Sequence, residues 1–133
     1  LNFISQNYKV IVVPSMRTPK TIIDLAVKEF TTNHHVVKSV DKKAYLSSLA
    51  LASSVVVTCD STSMISEAAI SGKPIFVAHM KPKRNNYRFK KFYKLFKDMK
   101  IVKDLGEKVE AWEYDKINEA ERVANIIIKK INK

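Results

Sequence analysis

Two short polar segments carry the residue types that grip an anion. One is Pro14-Ser15-Met16-Arg17-Thr18 and the other is Asp60-Ser61-Thr62-Ser63. Each leads into a stretch of helical period. A helix N-terminus offers unpaired N–H groups and the positive end of the helix dipole, which together favour a phosphate. The hydroxyls of Ser15, Ser61, Thr62 and Ser63 add donors, and the Arg17 guanidinium can meet a second phosphate oxygen by a two-pronged bond. Glu67 lies one turn beyond Ser63, so the two side chains emerge on one face. A carboxylate there accepts two hydrogen bonds and matches a vicinal diol such as a ribose. A plainer account fits the same residues. Asp60, Ser61, Thr62 and Ser63 can simply cap a helix, Arg17 can be a solvated charge, and Glu67 an acid favoured near a helix start.

The elements that position these residues alternate between short β-branched runs and helical periods, the mark of a layered α/β domain. Residues 8–13 form a run closed by Pro14, with no polar residue from Val10 to Val13, suited to a strand buried on both faces of a parallel sheet. Thr18 offers an N-cap with Pro19 at the first helical position. Ile22, Ile23, Ala26, Val27 and Phe30 follow at helical spacing. The pattern predicts a second strand over residues 35–40, a short helix over 45–52, and a third strand over 54–58 built on Val55, Val56 and Val57. Met64, Ile65, Ala68 and Ala69 then form an apolar stripe. Gly72 suits a left-handed helix end, Pro74 forbids continuation, and residues 75–78 read as a fourth strand. Strand, polar turn, helix, glycine stop and strand make one right-handed crossover.

Between residues 81 and 100, nine of twenty residues are Lys or Arg and only Asp98 is acidic. Phe89, Phe92, Tyr93 and Phe96 fall on one helical face with the cations opposite. That segregation favours core packing of the rings over base stacking, which needs aromatics interleaved with the charges. Two further partners for the cations stay open: an anionic membrane surface, and nucleic acid. Seven of the thirteen acids fall between residues 104 and 121. A last helix is expected over about residues 117–131, with Ala120, Val123, Ala124, Ile127 and Ile131 on one face.

The composition excludes several chemistries. The 133 residues carry a formal charge of +11 and only two glycines, Gly72 and Gly106. A Walker A loop and a G-x-G-x-x-G fingerprint each need glycines within a few residues of one another. The single cysteine, Cys59, excludes an internal disulfide and a C-x-x-C pair, and reads as a small buried apolar residue. His34 and His35 are adjacent and so cannot share a strand face as ligands. His79 has no partner at metal-site spacing, but its place after a strand makes it a candidate substrate contact. No apolar run approaches a membrane span and Lys9 interrupts the N-terminal stretch, so a cytoplasmic location is the default expectation. Leu1 in place of Met suggests a piece of a longer protein.

The stretch over residues 53–78 resembles the donor-nucleotide half of GT-B glycosyltransferases. It is similar to the lipid-linked N-acetylglucosaminyl transferase of peptidoglycan synthesis, with its valine strand, polar turn, Ser-Glu helix and Gly-x-Pro in that order. A closer resemblance is to the mitochondrial-fission ELM-type family of predicted nucleoside-diphosphate-sugar-binding proteins. Its marks are Pro14-Ser15-Met16-Arg17-Thr18-Pro19 and the run from Asp60 through Ser66-Glu67-Ala68. Arg88-Phe89 with Phe92, Trp112-Glu113-Tyr114 and Asn118-Glu119 complete the set, covering nearly the whole chain.

This resemblance implies a Rossmann-like, three-layer α/β fold with a mainly parallel sheet, as in the C-terminal half of GT-B enzymes. It implies one domain over residues 1–133 and a missing N-terminal acceptor domain, without which the chain should not turn over. The implied ligand is a nucleoside-diphosphate sugar, UDP- or GDP-linked. Ser15 and Arg17 would approach the diphosphate, and Ser61, Thr62 and Ser63 would hold it. Glu67 would bind the ribose, and the backbone near Val40 the base edge. His79, Lys83, Arg84 and Arg88 are candidate substrate contacts. No metal or cofactor is implied. Asp60 stands where the related turns often have glycine, and its charge opposes a diphosphate. Three readings follow: a donor-binding half of a glycosyltransferase-like protein, a non-catalytic adaptor of the fission family, or a nucleic-acid binder through the basic helix. A lipid-linked acceptor and a membrane-peripheral location accompany the first.

Overall fold

The computed structural model describes residues 2–80 and 87–132. The chain divides into two compact units, residues 1–52 and 53–133. Both are α/β with parallel strands, as the alternation of periods predicts.

The first unit contains α1 (Asn2–Asn7), β1 (Ile11–Val12), α2 (Lys20–Glu29), β2 (His35–Val36) and α3 (Lys42–Leu51). β1 pairs in parallel with β2, Ile11 opposite His35 and Val12 opposite Val36. The strands are shorter than the runs over 8–13 and 35–40 suggest. Each has only the other to pair with, and Pro14 brings no N–H to extend the ladder. His34 is a brace: its Nδ1 accepts the Val10 N–H at 3.1 Å, and its ring meets Phe30 edge-on at 5.5 Å. Helix α2 starts one residue later than expected, with Pro19 at the cap and no side chain capping it. The Thr18 hydroxyl is occupied elsewhere, accepting the Ser15 N–H at 2.9 Å. Helix α3 begins earlier than the expected residue 45, because Asp41 Oδ1 caps it by accepting the Ala44 N–H at 2.9 Å.

The second unit runs β3 (Val55–Thr58), α4 (Thr62–Ile70), β4 (Ile75–Ala78), α5 (Tyr87–Asp98), β5 (Val102–Asp104) and α6 (Glu119–Ile131). The sheet order is β3-β4-β5, all parallel. In that register Val57, Val77 and Asp104 share one face, while Val56, Phe76 and Lys103 share the other. α4 and α5 each connect neighbouring strands in the same direction across the sheet, so right-handed crossovers place both on one face. The burial agrees, with Val57 buried on that face and Val56 41% exposed on the other. Ile65, Ala68 and Ala69 of α4 are buried with Ile75, Val77, Ile101 and Val102, and Phe76 is buried on the other face.

β5 has no counterpart among the sequence expectations. Only Ile101 and Val102 are apolar between Lys100 and Lys103, too little for a periodic signal. The irregular chain after β5 is pinned by two aromatic residues. Trp112 donates to the Lys100 carbonyl at 2.8 Å and meets Phe76 edge-on at 5.1 Å. The Tyr114 hydroxyl donates to the Lys73 carbonyl at 2.8 Å, and burial pushes it up to about 12. The last helix begins at Glu119 rather than near 117, because Asn118 caps it by accepting the Glu121 N–H at 3.2 Å. Among the described residues no helix is long and apolar enough to cross a membrane.

Candidate functional site

At the carboxyl end of β3 the chain turns tightly. The Ser61 N–H donates to the Thr58 carbonyl at 3.1 Å, and the Ser61 carbonyl accepts the Ile65 N–H at 3.1 Å. Ser61 is therefore the residue at the α4 cap, yet its side chain makes no capping bond. For Ser61 the structure differs here from the plain capping account, in which its hydroxyl serves the helix. Ser61 is buried, Thr62 half-buried, and Ser63 and Glu67 exposed. Glu67 enters no ion pair among the described residues. Ser63 in the first turn and the acid one turn on thus share an exposed face of α4.

The opposite end of α4 closes as its glycine predicts. Gly72 has φ +72°, a left-handed conformation, and Ser71 turns its hydroxyl onto the Ala68 carbonyl at 2.6 Å.

In the first unit the segment from Ser15 to Thr18 is a hydrogen-bonded turn, with Thr18 N–H donating to the Ser15 carbonyl at 3.0 Å. The Ser15 hydroxyl lies 3.2 Å from that of Thr18 and accepts the Arg17 N–H at 3.3 Å. The Arg17 side chain is exposed. Val40 is exposed in the link between β2 and α3. Lys83 and Arg84 lie outside the described residues, and Arg88 is exposed in the first turn of α5.

A second constellation sits at the carboxyl ends of β4 and β5, and the sequence reading found only one of its members. His79 follows β4 directly, and Asp104 ends β5. The Asp104 carboxylate accepts from the His79 Nε2 at 2.5 Å, from the Lys97 Nζ at 2.7 Å, and from the Tyr93 hydroxyl. The lysine bond, followed by the phenol and imidazole bonds, holds the Asp104 carboxyl down to about 2. Burial, reinforced by the bond to Asp104, holds the Tyr93 phenol well above its ordinary range. The Tyr93 ring also meets the His79 imidazole edge-on, with centroids 4.9 Å apart. Sequence reasoning placed Tyr93 in an apolar stripe and Asp104 in an acidic stretch. Only the β5 register, invisible in the sequence, brings them together.

The remaining aromatics of α5 pair among themselves, Phe92 with Phe96 at 4.2 Å and Phe89 with Tyr93 at 6.0 Å, each half-buried with lysines outside. The rings thus stack on one another along α5 and none is buried as a core position would require. A groove of about 560 Å³ borders the cluster, lined by Lys97, Lys100, Lys103, Asp104, Trp112 and neighbouring residues. There the Lys103 ammonium stands 4.6 Å from the centre of the Trp112 ring.

Parallel strands joined by helices define a Rossmann-like α/β protein. The family described as Mitochondrial fission ELM1 matches residues 2–131, and the chain belongs to it. An uncharacterized protein of Rickettsia prowazekii (strain Madrid E) is 37% identical over 128 residues, covering 90% of this chain and 36% of that protein. The mitochondrial fission protein ELM1 of Arabidopsis thaliana is 28% identical over 135 residues, covering 96% of this chain and 30% of that protein. The chain spans about a third of the length of these curated relatives. No solved structure matches it.

Proposed function

We propose that the second unit is the donor-binding part of a nucleoside-diphosphate-sugar-binding, GT-B-like protein. The observation that carries this reading is the open face of α4. The Ser61 side chain leaves the helix start uncapped, and exposed Glu67 stands one turn further on. An uncapped helix start keeps its N–H groups available to a diphosphate, and a carboxylate at that distance suits a ribose diol. Ser15, Arg17 and Val40 belong to the first unit and stay expectations of the sequence. In a complete protein the arrangement supports glycosyl transfer, because a diphosphate held by helix N–H groups is a stabilised leaving group. UDP and GDP donors are the expected ligands, with a lipid-linked acceptor and an anionic membrane surface as further partners through the basic α5.

Thermal shift with UDP, GDP, ADP and their sugars tests this on the 133-residue chain and on Glu67→Ala. A ligand at a hundred times its dissociation constant adds about 2.7 kcal/mol of stability. The wild type should be stabilised by one nucleotide class and the variant should lose that gain. Stabilisation that survives unchanged in Glu67→Ala, or by no nucleotide at all, defeats the reading.

A second reading has its own support. Every residue of α6 is exposed, including Val123, Ile126, Ile127, Ile128 and Ile131, and the Arabidopsis relative carries a fission role in its name. An adaptor that docks partners through this stripe is the function that remains if no nucleotide binds. Salt-sensitive binding of arbitrary DNA would instead favour nucleic acid.

A further inference from the structure

We propose that His79 is a proton-transfer group for the substrate held at the start of α4, with Asp104 as its positioning residue. This inference rests on the donor-binding reading above and adds a reacting side chain to it.

The argument begins with hydrogen-bond inventory. An ionised carboxylate only accepts, so the His79 Nε2 facing Asp104 at 2.5 Å must carry the proton. In the neutral ring that leaves the Nδ1 lone pair free. Nδ1 has no hydrogen-bond partner among the described residues. The Tyr93 ring fixes the plane of the imidazole at an interplanar angle of 87°. Lys97 and Tyr93 hold the carboxylate in turn. The result is an imidazole with a set tautomer and a set direction, the arrangement by which a carboxylate prepares a histidine to accept a proton. The side chain remains 45% exposed, so a ligand can reach it.

Position supplies the second half. β4 is the neighbour of β3, and the Cys59 N–H donates to the Ala78 carbonyl at 3.0 Å. His79 therefore leaves the sheet about 4.8 Å from the turn that opens α4, the spacing of adjacent strands. It does so on the face shared by Val77 and Asp104, which is the face that α4 covers. A diphosphate at the α4 start and a hydroxyl at Nδ1 then lie on one edge of one sheet.

The step this permits is balanced. An acceptor hydroxyl gives its proton to Nδ1 while its oxygen pair bonds to the anomeric carbon of the donor sugar. The bond from that carbon to the diphosphate oxygen breaks, and its electron pair leaves on the nucleoside diphosphate at the α4 start. Asp104 stabilises the imidazolium that forms. Among the described residues, the titratable groups around the ring are Asp104 from β5 and Tyr93 and Lys97 from α5, with Cys59 and Asp60 in the adjoining turn.

Long-range ¹H–¹⁵N spectra of the imidazole rings in the 133-residue chain test this with UDP and GDP as probes. Wild type should show His79 as the Nε2–H tautomer, and Asp104→Asn should give a tautomer mixture in a chain that still folds. The nucleotide that binds should move the Nδ1 resonance. The affinity of that nucleotide should change roughly threefold or more with pH, and that change should vanish in His79→Gln. If nucleotide binds but the Nδ1 resonance and the pH profile stay put, His79 is only a brace for α5 and this inference falls alone. If neither nucleotide binds, the donor-binding reading falls and takes the inference with it.

Discussion

The chemistry of single residues turns here on what each polar group has left over. Ser15 has spent its hydroxyl on the turn with Thr18, whereas the Ser61 side chain has left the helix cap unfilled. Asp104 is a heavily engaged acid, with three donors on one carboxylate. Its carboxyl is held at about 2, below the ordinary 3.8, so its partners favour the ionised form only in the folded chain. That contribution is complete above the unfolded value near 4 and is lost as pH falls towards 2. Because the side chain is 49% exposed, solvent screening limits it to about 1 kcal/mol or less. Denaturant unfolding of wild type and Asp104→Asn should therefore show the variant less stable at pH 7, with the gap closing between pH 4 and pH 2. A gap that stayed constant across that range would mean the variant acts through packing instead of charge. The sequence announced Ser61, Thr62, Ser63 and Glu67 because they are neighbours along one helix. It could not announce the Asp104 cluster, whose members are drawn from three separate elements.

At the scale of elements, the unit from β3 through β4 was readable because every local signal agreed. Three valines, a run of capping residues, an apolar stripe, one glycine and one proline all describe the same crossover. Gly72 is the point where that agreement can be measured. Its φ of +72° is one that an L-residue adopts only at a cost, and an added Cβ would stand 2.5 Å from the Lys116 side chain. The lysine carbons can move aside, but the backbone angle cannot relax without reopening the helix end. Gly72→Ala should accordingly lower stability by about 1–2 kcal/mol, read as a shift in the denaturant midpoint with unchanged slope. No loss would mean that the turn accommodates another conformation. The elements that escaped the sequence share a physical cause. β1 and β2 shrink to two residues each because their pairing partners end, and β5 holds too few apolar residues to show a period. Pairing is a long-range property, and a single strand does not encode how many rungs its neighbour will offer.

For the whole molecule, burial is distributed unevenly between the two units. Among the described residues ten apolar ones are buried, and of these only Ala26 belongs to the first unit, while Val57, Ile65, Ala68, Ala69, Ile75, Phe76, Val77, Ile101 and Val102 belong to the second. Local opening is cheapest where few apolar contacts resist it. A two-rung ladder such as β1 with β2 should therefore open without the rest of the chain, whereas β4, hydrogen-bonded on both edges, should open only when its whole unit does. Native-state hydrogen exchange resolves the two. The amides of Phe76 and Val77 should be the slowest to exchange, and those of His35 and Val37 should exchange roughly tenfold faster or more. Ile65→Ala removes a side chain with no exposed surface from beneath β4 and should cost about 2–5 kcal/mol. It should collapse protection in β3, β4 and β5 while leaving the β1–β2 rates nearly unchanged. Equal protection in both ladders, or an equal loss in both on mutation, would show that the units open as one. In that case the exposed face of α4 would depend on the first unit for its stability.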